Sequence, residues 1–171
     1  MSSNRIPLDE AKLSDASRAF VGRLFAWRPE LKPVALMERD PSSDRYSLVI
    51  EAQSPTGDPN RRLGIWMDQG TEPSVGFGPW HTHASVWCIE THDPDEHGSI
   101  VALVEAILND EFVIIEDVGG EHEDHTSVLD LRQPDALADE LTSQYSPGRI
   151  RIKSWSGLAD RDVGLEDLGF A

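Results

Sequence analysis

From Leu63 to Leu131 the chain has no lysine and no arginine, although this stretch carries 15 Asp or Glu and all six histidines. Ten of the 15 basic residues precede it and five follow it, and nowhere do they gather into a basic patch. A formal net charge of −16 argues against nucleic acid as a partner, because phosphate backbones are held largely by Lys and Arg. Cysteine is nearly absent: Cys88 alone rules out an intramolecular disulfide and a Cys-rich zinc site. Flanked by Val86, Trp87 and Ile89, it reads as a buried, inert thiol. No apolar run approaches the roughly 18 residues of a membrane span. Met1-Ser2-Ser3-Asn4-Arg5 is not followed by an apolar segment of signal-peptide length, so a cytoplasmic location is expected. Nucleophile-elbow, phosphate-loop and dinucleotide fingerprints are missing as well.

The 171 residues present predict one globular domain, 1–171, with a loosely held tail at 157–171. Leu13, Ala16, Phe20, Leu24 and Trp27 recur at helical spacing over 9–28, and Pro29 and Pro33 end the pattern. Tyr46–Glu51, Leu63–Met67 and Ser74–Phe77 read as strands, with a turn at Asp68–Thr71. Ala84–Glu90 is an apolar run open to two readings, a further strand or a buried turn. A second helix carries Ile100, Val101, Val104, Ile107 and Leu108, with Asp93 as N-cap, Pro94 at the first position and Glu96 at the capping-box position. Phe112–Ile115 follows as a strand, then an acidic loop from Gly119 to Thr126 and a short edge strand at Val128–Leu131. Pro134 begins a third helix that ends near Pro147-Gly148, and Arg149–Trp155 alternates as a half-exposed strand. The order predicts an α+β fold: a mostly antiparallel sheet of about five or six strands with about three helices packed on it.

His81 and His83 are the sharpest candidate site. On an extended strand they share a face about 7 Å apart at Cα, a spacing that suits two ligands of a zinc ion or another borderline metal. Asp95 is the third ligand in the metal reading, with Asp93, His92 and His97 as alternatives; Asp93 and Glu96 also serve as helix cap and capping-box partner. Asp93–Gly98 starts like an EF-hand loop, but Val104 stands where that loop needs Glu, so a calcium loop is rejected. Trp80 and Trp155 are candidates to line a pocket, or else to fill the core. Histidines among carboxylates also hold a proton to higher pH, which opens a third reading as a pH-responsive cluster.

Gly78-Pro79-Trp80-His81-Thr82-His83 resembles the motif of the JAMM (MPN+) metalloprotease family, His-Ser/Thr-His, seven residues, Ser, two residues, Asp. The resemblance implies a zinc-dependent hydrolase in which His81 and His83 bind zinc and Glu51 is the general base. The chain departs from the motif where Thr91 replaces its Ser and Pro94 its Asp, and the match covers about 14 residues. More broadly, the strand ending in Phe77–His83, the following helix and Ile152–Gly157 resemble small acidic bacterial proteins, a class that includes immunity proteins. That resemblance implies binding without catalysis and with no cofactor; the acidic charge, separately, points to a basic protein partner or a cation.

Overall fold

The computed structural model describes residues 5–40, 44–67, 72–91, 95–118, 126–133, 135–143 and 148–168. Among these the fold is α+β, with ten strands in two antiparallel sheets and four α-helices. No helix among them is long and apolar enough to cross a membrane. The chain divides into two compact units, Met1–Gln53 with Arg62–Gly76 and His81–Val104, and Ser54–Arg61 with Phe77–Trp80 and Glu105–Ala171.

The first unit opens with α1 (Asp15–Trp27), which buries Phe20, Val21 and Leu24 on one stripe. The single helix predicted over 9–28 is divided. Leu13 is extended, and Ser14 Oγ accepts the Ser17 amide at 3.1 Å, so a new helix starts there and Glu10–Lys12 is a separate 3-10 turn. Strands β1 (Arg5–Pro7), β2 (Ala35–Arg39), β3 (Tyr46–Ala52), β4 (Leu63–Met67), β5 (Pro73–Phe77) and β6 (Trp80–His83) lie in the sheet in that order. The register explains the core. Leu48 pairs with Met37 and Met67, and Ile50 with Ala35 and Ile65, so six buried apolar side chains share one face. Burying each of the larger ones stabilises the sheet by about 1.5–3 kcal/mol. β1 and β2 were not predicted: β1 has only three residues, and β2 has one short apolar run, Ala35-Leu36-Met37, with just Ala35 and Met37 buried.

Ala84–Thr91 forms α2, neither the strand nor the turn that its apolar run suggested. Helix α3 (Glu96–Leu108) buries Ile100, Leu103, Val104, Ala106 and Ile107. Its N-cap is Asp95, which corrects the expectation of Asp93. Asp95 Oδ1 accepts the Gly98 amide at 3.2 Å, and its carbonyl accepts the Ser99 amide at 2.8 Å. Asp93 and Pro94 themselves lie outside the described residues, as do Asp68–Thr71, Gly119–His125, Pro134 and Pro147. At its other end the Glu111 amide reaches the Ala106 carbonyl and the Asp110 amide the Ile107 carbonyl, with Asp110 at φ 60°. This is a Schellman ending with aspartate where glycine is the usual residue.

In the second unit β7 (Phe112–Asp117), β8 (Thr126–Asp130), β9 (Arg149–Lys153) and β10 (Arg161–Gly164) form a sheet of order β10-β9-β7-β8. Helix α4 (Ala136–Leu141) contributes Leu141 to a core with Val113, Ile115, Leu129, Ile150, Ile152 and Val163. β9 alternates exposed Arg149 and Arg151 with buried Ile150 and Ile152, as its sequence pattern predicts. The segment expected as a loosely held tail contains β10, paired with β9 from Arg161↔Ile152 to Gly164↔Arg149, and buries Val163.

Gly78 opens the two-residue turn between β5 and β6 at φ 58°. A Cβ there would lie 2.2 Å from the Asn60 carbonyl oxygen and 2.6 Å from Ile114 Cδ1. Both the backbone and the space therefore require glycine. Gly78→Ala is expected to cost about 2 kcal/mol or more in urea unfolding, with an unchanged dependence on urea concentration.

Candidate functional site

Edge strand β6 places His81 and His83 on the surface, both exposed, on either side of buried Thr82. Their ring centroids are 5.9 Å apart and their planes meet at 88°. His83 Nδ1 lies 2.7 Å from the Ser74 hydroxyl on β5, which fixes that ring. The carboxylate of Glu72, at the start of the same hairpin, accepts the Ser85 amide at 2.8 Å and so caps the first turn of α2. Its hydrogen bonds from Ser85, aided by the charge of His83, hold Glu72 below the usual carboxylate range.

The partners expected for the histidine pair are engaged elsewhere. Glu51 Oε2 accepts from Arg5 at 2.8 Å and stands 3.8 Å from Arg62. A general base beside a metal-bound water needs its carboxylate free to take a proton, and this one is ion-paired from two directions. Asp95 receives both its oxygens' contacts from Arg23, at 2.7 and 2.9 Å, and caps α3. The Arg23 hydrogen bond, with the Gly98 amide, holds Asp95 below its ordinary value. His97 packs edge-on to Phe20 at 5.6 Å. Among the described residues no three His, Cys, Asp or Glu come together in a way that could hold a metal ion, so neither Asp95 nor His97 completes a set with His81 and His83. Catalytic zinc sites use three protein ligands and an open position, and these residues do not fit that donor set. His92 lies outside the described residues. Trp80, half-buried, and Trp155, buried, stand in aromatic pairs, Trp80 with Phe112 at 5.2 Å and Trp155 with Phe77 at 6.4 Å.

The most connected polar cluster was not among the sequence candidates. Arg61, 8% exposed, donates to Asp160 through two nitrogens at 2.9 and 2.7 Å, to Asp58 at 3.2 Å and to the Ser154 carbonyl at 2.9 Å. Asp160 also accepts the Ser154 amide at 2.9 Å. Ser54 donates to the Trp155 carbonyl at 2.6 Å, and Asp110 accepts the Ser156 amide at 2.7 Å and the Ser156 hydroxyl. The loop Ser54–Arg61 is thus joined to residues 154–160 at several points, and the strained aspartate that ends α3 is one of the anchors. Within Arg61-Arg62 nothing in composition or spacing distinguishes the buried arginine from its exposed neighbour. The one available signal was the loop's density of turn residues, with two prolines, a glycine and an aspartate.

Burial works against ionising Asp160, yet the Arg61 and Ser154 hydrogen bonds outweigh it and hold the carboxyl below its ordinary value. The Asn60 amide, with help from Arg61, does the same for Asp58. Carboxyls held low when folded contribute stability above their unfolded value of about 3.9 and lose it as pH falls through the folded value. Stability is therefore expected to decline below about pH 4. Arg61→Ala should cost about 3 kcal/mol at neutral pH, since it strips a buried network of its donor. The same substitution should flatten the acid limb, and urea unfolding of both proteins from pH 7 to pH 2.5 checks both effects. No family model, no curated protein and no solved structure matches the chain, so its function is read from these residues alone.

Proposed function

We propose that the chain is a non-enzymatic bacterial protein-binding module of the immunity type, working in the cytoplasm, that holds a basic protein through its excess of carboxylates. The observation that carries the reading is the allocation of charge. At least twelve of the 15 Lys and Arg form ion pairs with the chain's own carboxylates. The remaining acid is left as a net negative field. In the second unit α4 (with Asp135, Asp139 and Glu140 at or within it) lies beside the 3-10 turn Leu165–Leu168, which carries Glu166 and Asp167. A field of this kind accelerates encounter with a cationic partner and weakens as salt shortens its range to about 8 Å at physiological ionic strength.

The test is capture of partners from cell extract at 50 mM and 500 mM salt, with the recovered proteins identified by mass spectrometry. A basic protein recovered at low salt and released at high salt is expected. In the triple variant Asp135→Asn, Asp139→Asn, Glu140→Gln, its association rate at low salt should fall by about tenfold. Recovery of no basic protein, or of one indifferent to salt and to the variant, overturns the reading.

A further inference from the structure

Among the described residues the histidine pair has neither a third metal ligand nor a free general base, yet two exposed imidazoles stand side by side on one strand. Two imidazoles bound to one cation through nitrogens at about 2 Å set their ring centroids roughly 4.5 Å apart at the 90° of a tetragonal ion and roughly 5 Å apart at the tetrahedral angle. The observed 5.9 Å is about 1 to 1.5 Å wider, and a turn of the exposed His81 side chain toward His83 closes the difference. His83 is already oriented through its bond to Ser74. A hydroxyl serves as donor or acceptor, so Nδ1–H can donate to Ser74 Oγ while Nε2 presents its lone pair on the opposite side of the ring. That is the tautomer a metal requires, held by the kind of outer hydrogen bond that orients ligating histidines. Glu72 adds negative charge close to His83 while its own carboxylate stays bound to the Ser85 amide.

We propose that His81 and His83 form an open two-imidazole site for a borderline divalent transition cation, with Cu(II) held most tightly, water completing the coordination, and Ser74 positioning His83. With imidazole donors the order of affinity follows the general series for first-row cations, Cu(II) above Ni(II) and Zn(II). Mg²⁺ and Ca²⁺, which require oxygen ligands, are not bound there. The site binds without hydrolysing, because Glu51 and Asp95 are held by arginines. It does not depend on the acidic partner-binding role, and either can stand without the other.

The experiment is calorimetric titration of the full-length, tag-free protein with Cu(II), with electron paramagnetic resonance of the complex. One Cu(II) per chain with nitrogen hyperfine structure is expected. His81→Ala and His83→Ala should each weaken binding at least tenfold, and the double variant should lose the site. Ser74→Ala, checked by circular dichroism for an unaltered fold, should bind severalfold more weakly; wild-type affinity in that variant overturns the positioning role. A double variant that takes up its first Cu(II) with wild-type affinity would assign the metal to the other four histidines and overturn the site. So would a wild-type chain that binds Cu(II) no more tightly than the double variant.

Discussion

Thirty-one carboxylates must be accommodated with fifteen cations, and much of the structure follows from how that shortage is met. Cations are placed where one guanidinium serves more than one acid. Arg5 bridges Glu38 and Glu51, and Arg61 bridges Asp58 and Asp160. The planar fork of arginine, with five donors in fixed directions, suits this work better than a lysine ammonium does. Where cations run out, backbone amides take over. Glu72 sits on the first turn of α2, Asp110 on Ser156, and Asp167 on the Gly164 amide at 2.7 Å. A carboxylate on an unpaired amide satisfies a donor that would otherwise need water, so the acid excess is partly a means of finishing helix ends and turns.

The same shortage explains the fate of the hydrolase reading. Its base and its third ligand are carboxylates with arginines within reach, and an ion pair made in the folded chain is a competitor for any metal. Glu51 lies on β3, opposite Gly64 on β4, where β1 brings Arg5. Asp95 caps α3 and meets Arg23 of α1. None of this is visible in a local motif, because Arg5 and Arg23 lie 46 and 72 residues from the acids they engage. The imidazoles lie exposed on the edge strand, and the hydroxyl that meets His83, that of Ser74, is neutral.

Legibility in the sequence divided along similar lines. Strands β3 and β4 were readable as short apolar runs between turn-rich segments, β9 because it alternates exposed and buried residues, and α3 because its apolar positions keep helical spacing. Helix α2 was not readable, since Ala84 to Ile89 has no polar face to set a period and its cap, Glu72, comes from an earlier strand connection. β10 offers one apolar residue, Val163, and is a strand only because β9 presents a ladder to it. The His81–His83 pair could be named from spacing alone. The Arg61 cluster could not, because a buried arginine in a turn-rich loop looks like an exposed one until the residues near 154–160 fold over it.

An acid-rich chain with two exposed imidazoles has a single electrostatic field acting on two kinds of cation. A net charge of −16 draws a basic protein and a metal ion alike toward the surface, and raises the local concentration of both. They differ in what happens on arrival. In the proposed roles a protein is held by screened, long-range attraction spread over many carboxylates, which salt weakens. A metal is held by coordination bonds to two nitrogens whose reach is about 2 Å, and salt changes little beyond its rate of encounter. A chelator therefore empties the histidine site and leaves the acidic surface intact, while salt does the reverse, so the two proposed roles can be taken apart in the unmodified protein.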